Sequence, residues 1–174
     1  MIISVEEARK HIGTDMEDSV LEAKLQALEL AIRGYTNNNF QNRGIRYKCS
    51  IVAQKLYLKD HVLEVGDTVQ ISDSFYNNGL YTITEMDEDF IALNEKLVGE
   101  SDVRVTKVVY PMDVQMGALN MLKWDIENRD KVGIASETIS RHSVTYYDQS
   151  ASNTLIGYPA ALIGFLKPYA KARF

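Results

Sequence analysis

The sequence predicts an α+β fold: a helical domain interrupted by a small β-barrel-like insertion. Three observations predict it. Apolar residues recur at helical spacing early in the chain and again after Pro111. Between about Gly44 and Tyr110 the pattern changes to alternation in segments rich in Val, Ile, Thr and Tyr. Turn residues punctuate that stretch at even intervals. Residues 1–43 and 111–174 are thus expected to form the helical domain, and residues 44–110 the inserted β domain. Such insertions are tolerated where the two ends of a surface loop lie close together. About three main helices and a short C-terminal helix make up the helical part.

The first helix is expected from about Val5 to His11. Ser4 and Glu7 have the spacing of a capping box, in which each side chain satisfies a backbone N–H at the helix start. Gly13 is placed to end it. An acidic lead-in, Thr14 to Asp18, suits the positive end of the next helix dipole. In the second helix Leu21, Leu25, Leu28, Ile32 and Tyr35 form one apolar stripe, with Glu22, Lys24, Gln26, Glu29 and Arg33 off it. Asn residues between Gly34 and Asn39 mark its end.

Short strands are expected at 69–71, 80–84, 90–93 and 103–108, with turns at Gly66-Asp67, Asn77-Asn78-Gly79 and Asp87-Glu88-Asp89. Even spacing points to a closed or half-closed barrel. Pro111 suits the first turn of a helix running to about Arg129. Met112, Met116, Leu119 and Ile126 lie on one side of it, and Val114, Ala118, Met121 and Leu122 near the other. Apolar residues around much of its girth predict burial on two sides. Ile134 to Ser140 and Ser143 to Tyr147 read as two extended segments, and Tyr158-Pro159 as the opening of a last short helix, Ala160 to Leu166.

The chain has 174 residues, 45% of them hydrophobic, enough for a core without staples. Its formal net charge is −5. Between Gly44 and Tyr110 there are seven Lys and Arg against eleven Asp and Glu, which disfavours a nucleic-acid groove in the insert. Cys49 is the only cysteine, so no intrachain disulfide forms, and a reducing compartment is the expectation. The acidic start lacks the pattern of a signal peptide, and no apolar run is long enough to span a bilayer.

Chemistry-bearing motifs are lacking. His11, His61 and His142 have no metal-ligand spacing. Asp87-Glu88-Asp89 lacks the alternating ligands and central Gly of a calcium loop and reads as a solvated hairpin tip. No phosphate loop and no nucleophile elbow occur. Neither an enzyme nor a cofactor or metal site is expected.

The C-terminus reverses the overall charge. No acid follows Asp148, and the last ten residues hold Lys167, Lys171 and Arg173 with Phe165, Tyr169 and Phe174. Pro168 should end the last helix and start an extended tail. Two readings compete: a frayed basic end, or a tethered peptide whose aromatic and Arg side chains anchor in an acidic partner.

Four segments follow one another in order: Ile3-Ser4-Val5-Glu6-Glu7-Ala8-Arg9; Ala31-Ile32-Arg33-Gly34-Tyr35-Thr36-Asn37; Val132-Gly133-Ile134-Ala135-Ser136-Glu137-Thr138-Ile139 with Ser143-Val144-Thr145-Tyr146; and Gly157-Tyr158-Pro159-Ala160-Ala161-Leu162 with Leu166-Lys167-Pro168-Tyr169 and a basic aromatic end. Together they resemble the head–tail connector (adaptor, or head-completion) proteins of long-tailed bacteriophages. It is their order, more than any one motif, that carries the resemblance, which covers the two helical portions, about two thirds of the chain. The insert departs from the minimal all-helical connector.

The resemblance implies a dodecameric ring under the portal that joins the DNA-filled capsid to the tail. DNA passes through the channel without specific binding. Implied partners are the portal protein, head-closure or tail proteins and further copies of the chain. The location implied is the virion neck, assembled in the host bacterial cytoplasm, with no membrane. Lys167, Pro168, Tyr169, Lys171, Arg173 and Phe174 would form the portal-binding tail. A ring needs a head-to-tail interface that closes on itself, for which Met112, Met116, Leu119 and Ile126 are the candidates. A tail-completion protein and a nucleic-acid-binding regulator are the alternatives.

Overall fold

Ser4 and Glu7 make the expected reciprocal cap. The Glu7 backbone N–H donates to Ser4 Oγ at 3.1 Å, and the Ser4 N–H donates to Glu7 Oε2 at 3.3 Å. The helix they open, α1 (Val5–Ile12), closes at Gly13, whose left-handed backbone (φ 67°) lets its N–H reach the Arg9 carbonyl. This computed structural model describes residues 1–131, 136–139, 142–145 and 154–172. Its chain divides into two compact units: residues 1–2 with 38–110, and residues 3–37 with 111–174.

In the helical unit α1 is followed by α2 (Asp18–Thr36) and α3 (Met112–Asn128). Four residues of the α2 stripe are buried as its spacing predicts: Leu21, Leu25, Leu28 and Ile32 are at most 3% exposed, while Tyr35 is half-buried. Glu29 and Arg33, which the stripe leaves outside, are buried as well. The helix is therefore covered over a wider arc than its leucines mark. On α3 the face of Val114, Ala118, Met121 and Leu122 is buried.

After a short 3₁₀ turn (Arg129–Lys131) come β7 (Ser136–Ile139) and β8 (His142–Thr145), paired antiparallel. The described parts of the two extended segments expected there thus pair as strands; their remaining residues lie outside the described ones. A second small hairpin joins Thr154–Leu155 to Tyr158–Pro159. The last helix expected over Ala160–Leu166 is instead two 3₁₀ turns, Ala160–Leu162 and Gly164–Tyr169. Pro168 lies inside the second turn and does not end it. The two turns part at Ile163 (φ −110°, ψ 3°), just before Gly164, and 3₁₀ geometry suits pieces this short.

The β unit is a closed antiparallel barrel in the order β1-β2-β5-β4-β3-β6. Its strands are β1 (Gln41–Val52), β2 (Lys55–Tyr57), β3 (Thr68–Ser72), β4 (Gly79–Met86), β5 (Phe90–Leu93) and β6 (Glu100–Val108). Closure leaves no free sheet edge. Four strands match the expected segments, and β1 and β2 are additional. β1 pairs with both β6 and β2, with register shifts between Gln41 and Arg46 and between Cys49 and Ile51. Bulges of this kind bend a strand around a barrel corner. Inward side chains such as Leu56, Val69, Ile83, Ile91 and Val105 form the barrel core.

Candidate docking surfaces

The C-terminal segment is tied to the helical unit as far as it is described. Phe165 lies against the buried Gly117 of α3. The Tyr169 hydroxyl donates to the Asp113 carboxylate, 2.7 Å from Oδ1, and this bond pushes the phenol above its ordinary pKa. The Lys171 N–H donates to the Thr36 carbonyl at 2.8 Å, and Asn37 Nδ2 donates to the Ala172 carbonyl at 2.9 Å. Lys167, Pro168 and Lys171 face solvent, and Tyr169 is half-buried. Arg173 and Phe174 lie outside the described residues. The extended start expected at Pro168 gives way to a bonded turn.

The candidate interface residues on α3 do not share one environment. Met112 is 72% exposed and Met116 44%. Leu119 is 6% exposed and Ile126 is half-buried. The two methionines are available to a partner; Leu119 is covered within the chain.

Between α2, α3 and the Thr154–Pro159 hairpin lies a cleft of about 340 Å³. Its apolar lining includes Ala27, Leu28, Ala31, Leu122 and Ile156. Ile156 sits at φ 47°, a left-handed conformation that costs an ordinary residue about 1–2 kcal/mol and is harder still for a β-branched one. A three-residue ionic network forms the polar wall. Lys24 Nζ donates to Asp125 Oδ2 at 2.6 Å, and Arg129 Nε donates to Asp125 Oδ1 at 2.5 Å. Arg129 Nη1 reaches the Gly157 carbonyl at 3.0 Å. Its guanidinium lies over the Tyr158 and Trp124 rings, 4.9 and 5.4 Å from their centroids. Nothing in the spacing of Lys24 and Asp125 foretells this pair.

The β unit carries a surface feature that sequence reasoning missed. Phe75 is 90% exposed and Tyr76 75%, adjacent at the tip of the β3–β4 loop. The loop is held from within. Ser74 Oγ donates to Glu100 Oε2 at 2.5 Å, the Phe75 N–H to Glu100 Oε1 at 2.7 Å, and Asn77 Nδ2 to Glu100 Oε2 at 3.0 Å. Buried Asn77 also exchanges two bonds with the Val98 main chain, in the manner of paired strands. Asn78 bonds Ser74 in both directions. Two aromatic rings are thus presented to water on a fixed backbone. Such pre-organised aromatics lose little freedom on docking.

Glu100 is the keystone of that loop. The Ser74 hydroxyl, then the Phe75 N–H, hold its carboxyl below its usual pKa. Because the folded value is the lower one, the ordering is complete above the ordinary carboxylate range and is lost as pH falls through the folded value. Glu100→Ala is expected to speed hydrogen exchange at the Phe75 and Asn77 amides at neutral pH. The wild type should reach the same state only in acid. Exchange measured by mass spectrometry on peptides spanning the loop checks both.

Among the described residues no helix is long and apolar enough to cross a membrane, and no cluster of His, Cys, Asp and Glu has the makings of a metal site. No family model and no curated protein matches the chain. Among solved structures, the chain is similar to one in the neck of an empty GTA particle computed with C6 symmetry. The two are 14% identical with a TM-score of 0.38, over 99% of this chain and 91% of the other. A score of that size establishes no common fold.

Proposed function

We propose that this chain is a structural protein of a phage neck rather than an enzyme. In this reading it forms a ring under the portal, connects the filled capsid to the tail and lets DNA pass. Its C-terminal segment docks on the portal. The observation that carries the reading is where the four connector-like segments fall. All lie in the helical unit and none in the barrel. The second and fourth, more than a hundred residues apart, are hydrogen-bonded to each other through Thr36, Asn37, Lys171 and Ala172. Segments that resemble one family are therefore parts of one unit, and in this reading the barrel is an addition to it.

The docking group is the exposed part of that segment, Lys167, Pro168 and Lys171, with Arg173 and Phe174 next in the sequence. Tyr169 serves as its root, through Asp113. The net-negative barrel suits a protein beside which DNA passes without being gripped. Removing residues 170–174 is expected to leave a folded protein that no longer binds purified portal. Binding to portal at unchanged affinity would overturn the tail assignment. Capture of tail proteins and not portal would favour a tail-completion role.

A further inference from the structure

We infer that the Phe75–Tyr76 knob of one copy seats in the α2–α3 cleft of a second copy, giving a head-to-tail self-contact. Three features of the chain lead there. Both aromatic rings are uncovered within their own chain, at 90% and 75% exposure, yet their loop is fixed by Glu100 and Asn77. The cleft is apolar along Ala27, Ala31, Leu122 and Ile156, and its volume of about 340 Å³ admits an aromatic side chain. The charges are complementary: the cleft wall sets Lys24 and Arg129 against the single carboxylate of Asp125. The knob follows Asp73, which pairs with Arg104, and sits on the carboxylate of Glu100, on a barrel with an excess of acids. Acids around the knob would meet the cations of the wall.

Knob and cleft are different surfaces of the same chain. A contact between them is heterologous, so it propagates from copy to copy and closes into a ring when the rotation permits. The inference needs no portal and stands apart from the docking role of the C-terminal segment. In it the barrel acquires a role, as the carrier of the aromatic anchor of the assembly.

The test uses the full chain at high concentration without any partner protein. Tyr76→Cys and Ala27→Cys are made as separate single variants, both at exposed positions. The native Cys49 is buried, and burial pushes its thiol up to about 11, which keeps it out of the reaction. A short bis-maleimide is added to each variant alone and to their mixture. The expected result is covalent dimer in the mixture only. Adding Phe75→Ala to the Tyr76→Cys copy should lower the yield roughly tenfold or more, as for an aromatic anchor. Dimer from Tyr76→Cys alone would mean that knob meets knob and would overturn the inference. Absence of dimer from the mixture would overturn it too, with circular dichroism confirming that both variants are folded. A failed cross-link with portal binding intact would remove this contact and leave the neck reading standing.

Discussion

Asp125→Ala is expected to lower the unfolding free energy of the helical unit by about 2–3 kcal/mol. The carboxylate is 10% exposed and receives Lys24 from α2 and Arg129 from the end of α3. Through Arg129 it also fixes the guanidinium that bonds Gly157 and covers Tyr158 and Trp124. Truncation leaves two cations facing each other with no counter-charge. For a fully buried pair the loss is about 3–5 kcal/mol. Here Lys24 and Arg129 are 32% and 42% exposed, so water takes up part of it. Asp125→Asn keeps an acceptor and should lose less. Trp124 is the chain's only tryptophan and stacks beside this network, so urea unfolding followed by its fluorescence measures the change. An Asp125→Ala midpoint equal to the wild type's would mean that the network adds nothing to stability.

The same carboxylate sets a pH dependence. Burial alone would raise its pKa, but the hydrogen bonds from Lys24 and Arg129 outweigh burial and hold it below the usual value. The folded value is thus lower than the unfolded one. Its stabilising contribution is complete above the unfolded carboxylate pKa and disappears as pH falls through the folded value. In Asp125→Asn that part of the acid slope should be missing.

What could be read beforehand was local. The α1 cap needs only Ser4 and Glu7 three residues apart, and the α2 core face needs only its leucine spacing. The barrel was legible as a class because four of its strands alternate. β1 was missed although Ile45, Tyr47, Cys49 and Ile51 alternate with Arg46, Lys48 and Ser50; its polar start, Gln41 to Arg43, carries no apolar face, and β2 was missed because three residues carry no period. The surfaces were harder to see. The Lys24–Asp125 contact joins residues 101 apart, and only packing creates it. Phe75 and Tyr76 sit between Ser74 and two Asn residues, a turn composition that gives no reason to expect exposed rings. The signal was present as two adjacent aromatics in a polar loop, but Glu100, which fixes them, is more than twenty residues away. At the C-terminus composition singles out a basic aromatic segment. It cannot show that Tyr169 and Lys171 are bonded to Asp113 and Thr36.

How firmly that segment is rooted turns on Gly117, where propensity and packing predict opposite signs. Gly in a helix interior is worse than Ala by about 0.8–1.0 kcal/mol, so Gly117→Ala should stabilise α3 if nothing touched it. A Cβ built there meets the Phe165 ring at 2.2–2.4 Å, far inside contact distance. The ring must swing away or the 3₁₀ turn that carries it must lift from the helix, and overpacking of this kind costs about 1–3 kcal/mol. The expected net result is a loss of about 1 kcal/mol, read as a lower urea midpoint, together with faster hydrogen exchange over residues 164–172. Phe165→Ala removes the obstacle at a cost of its own. In that background Gly117→Ala should become stabilising, which a double-mutant cycle measures directly. If Gly117→Ala stabilises the wild type as well, the ring moves freely and Phe165 is no anchor. If the sign reverses with Phe165, the C-terminal segment is held at its base by a helix that keeps a glycine to receive it.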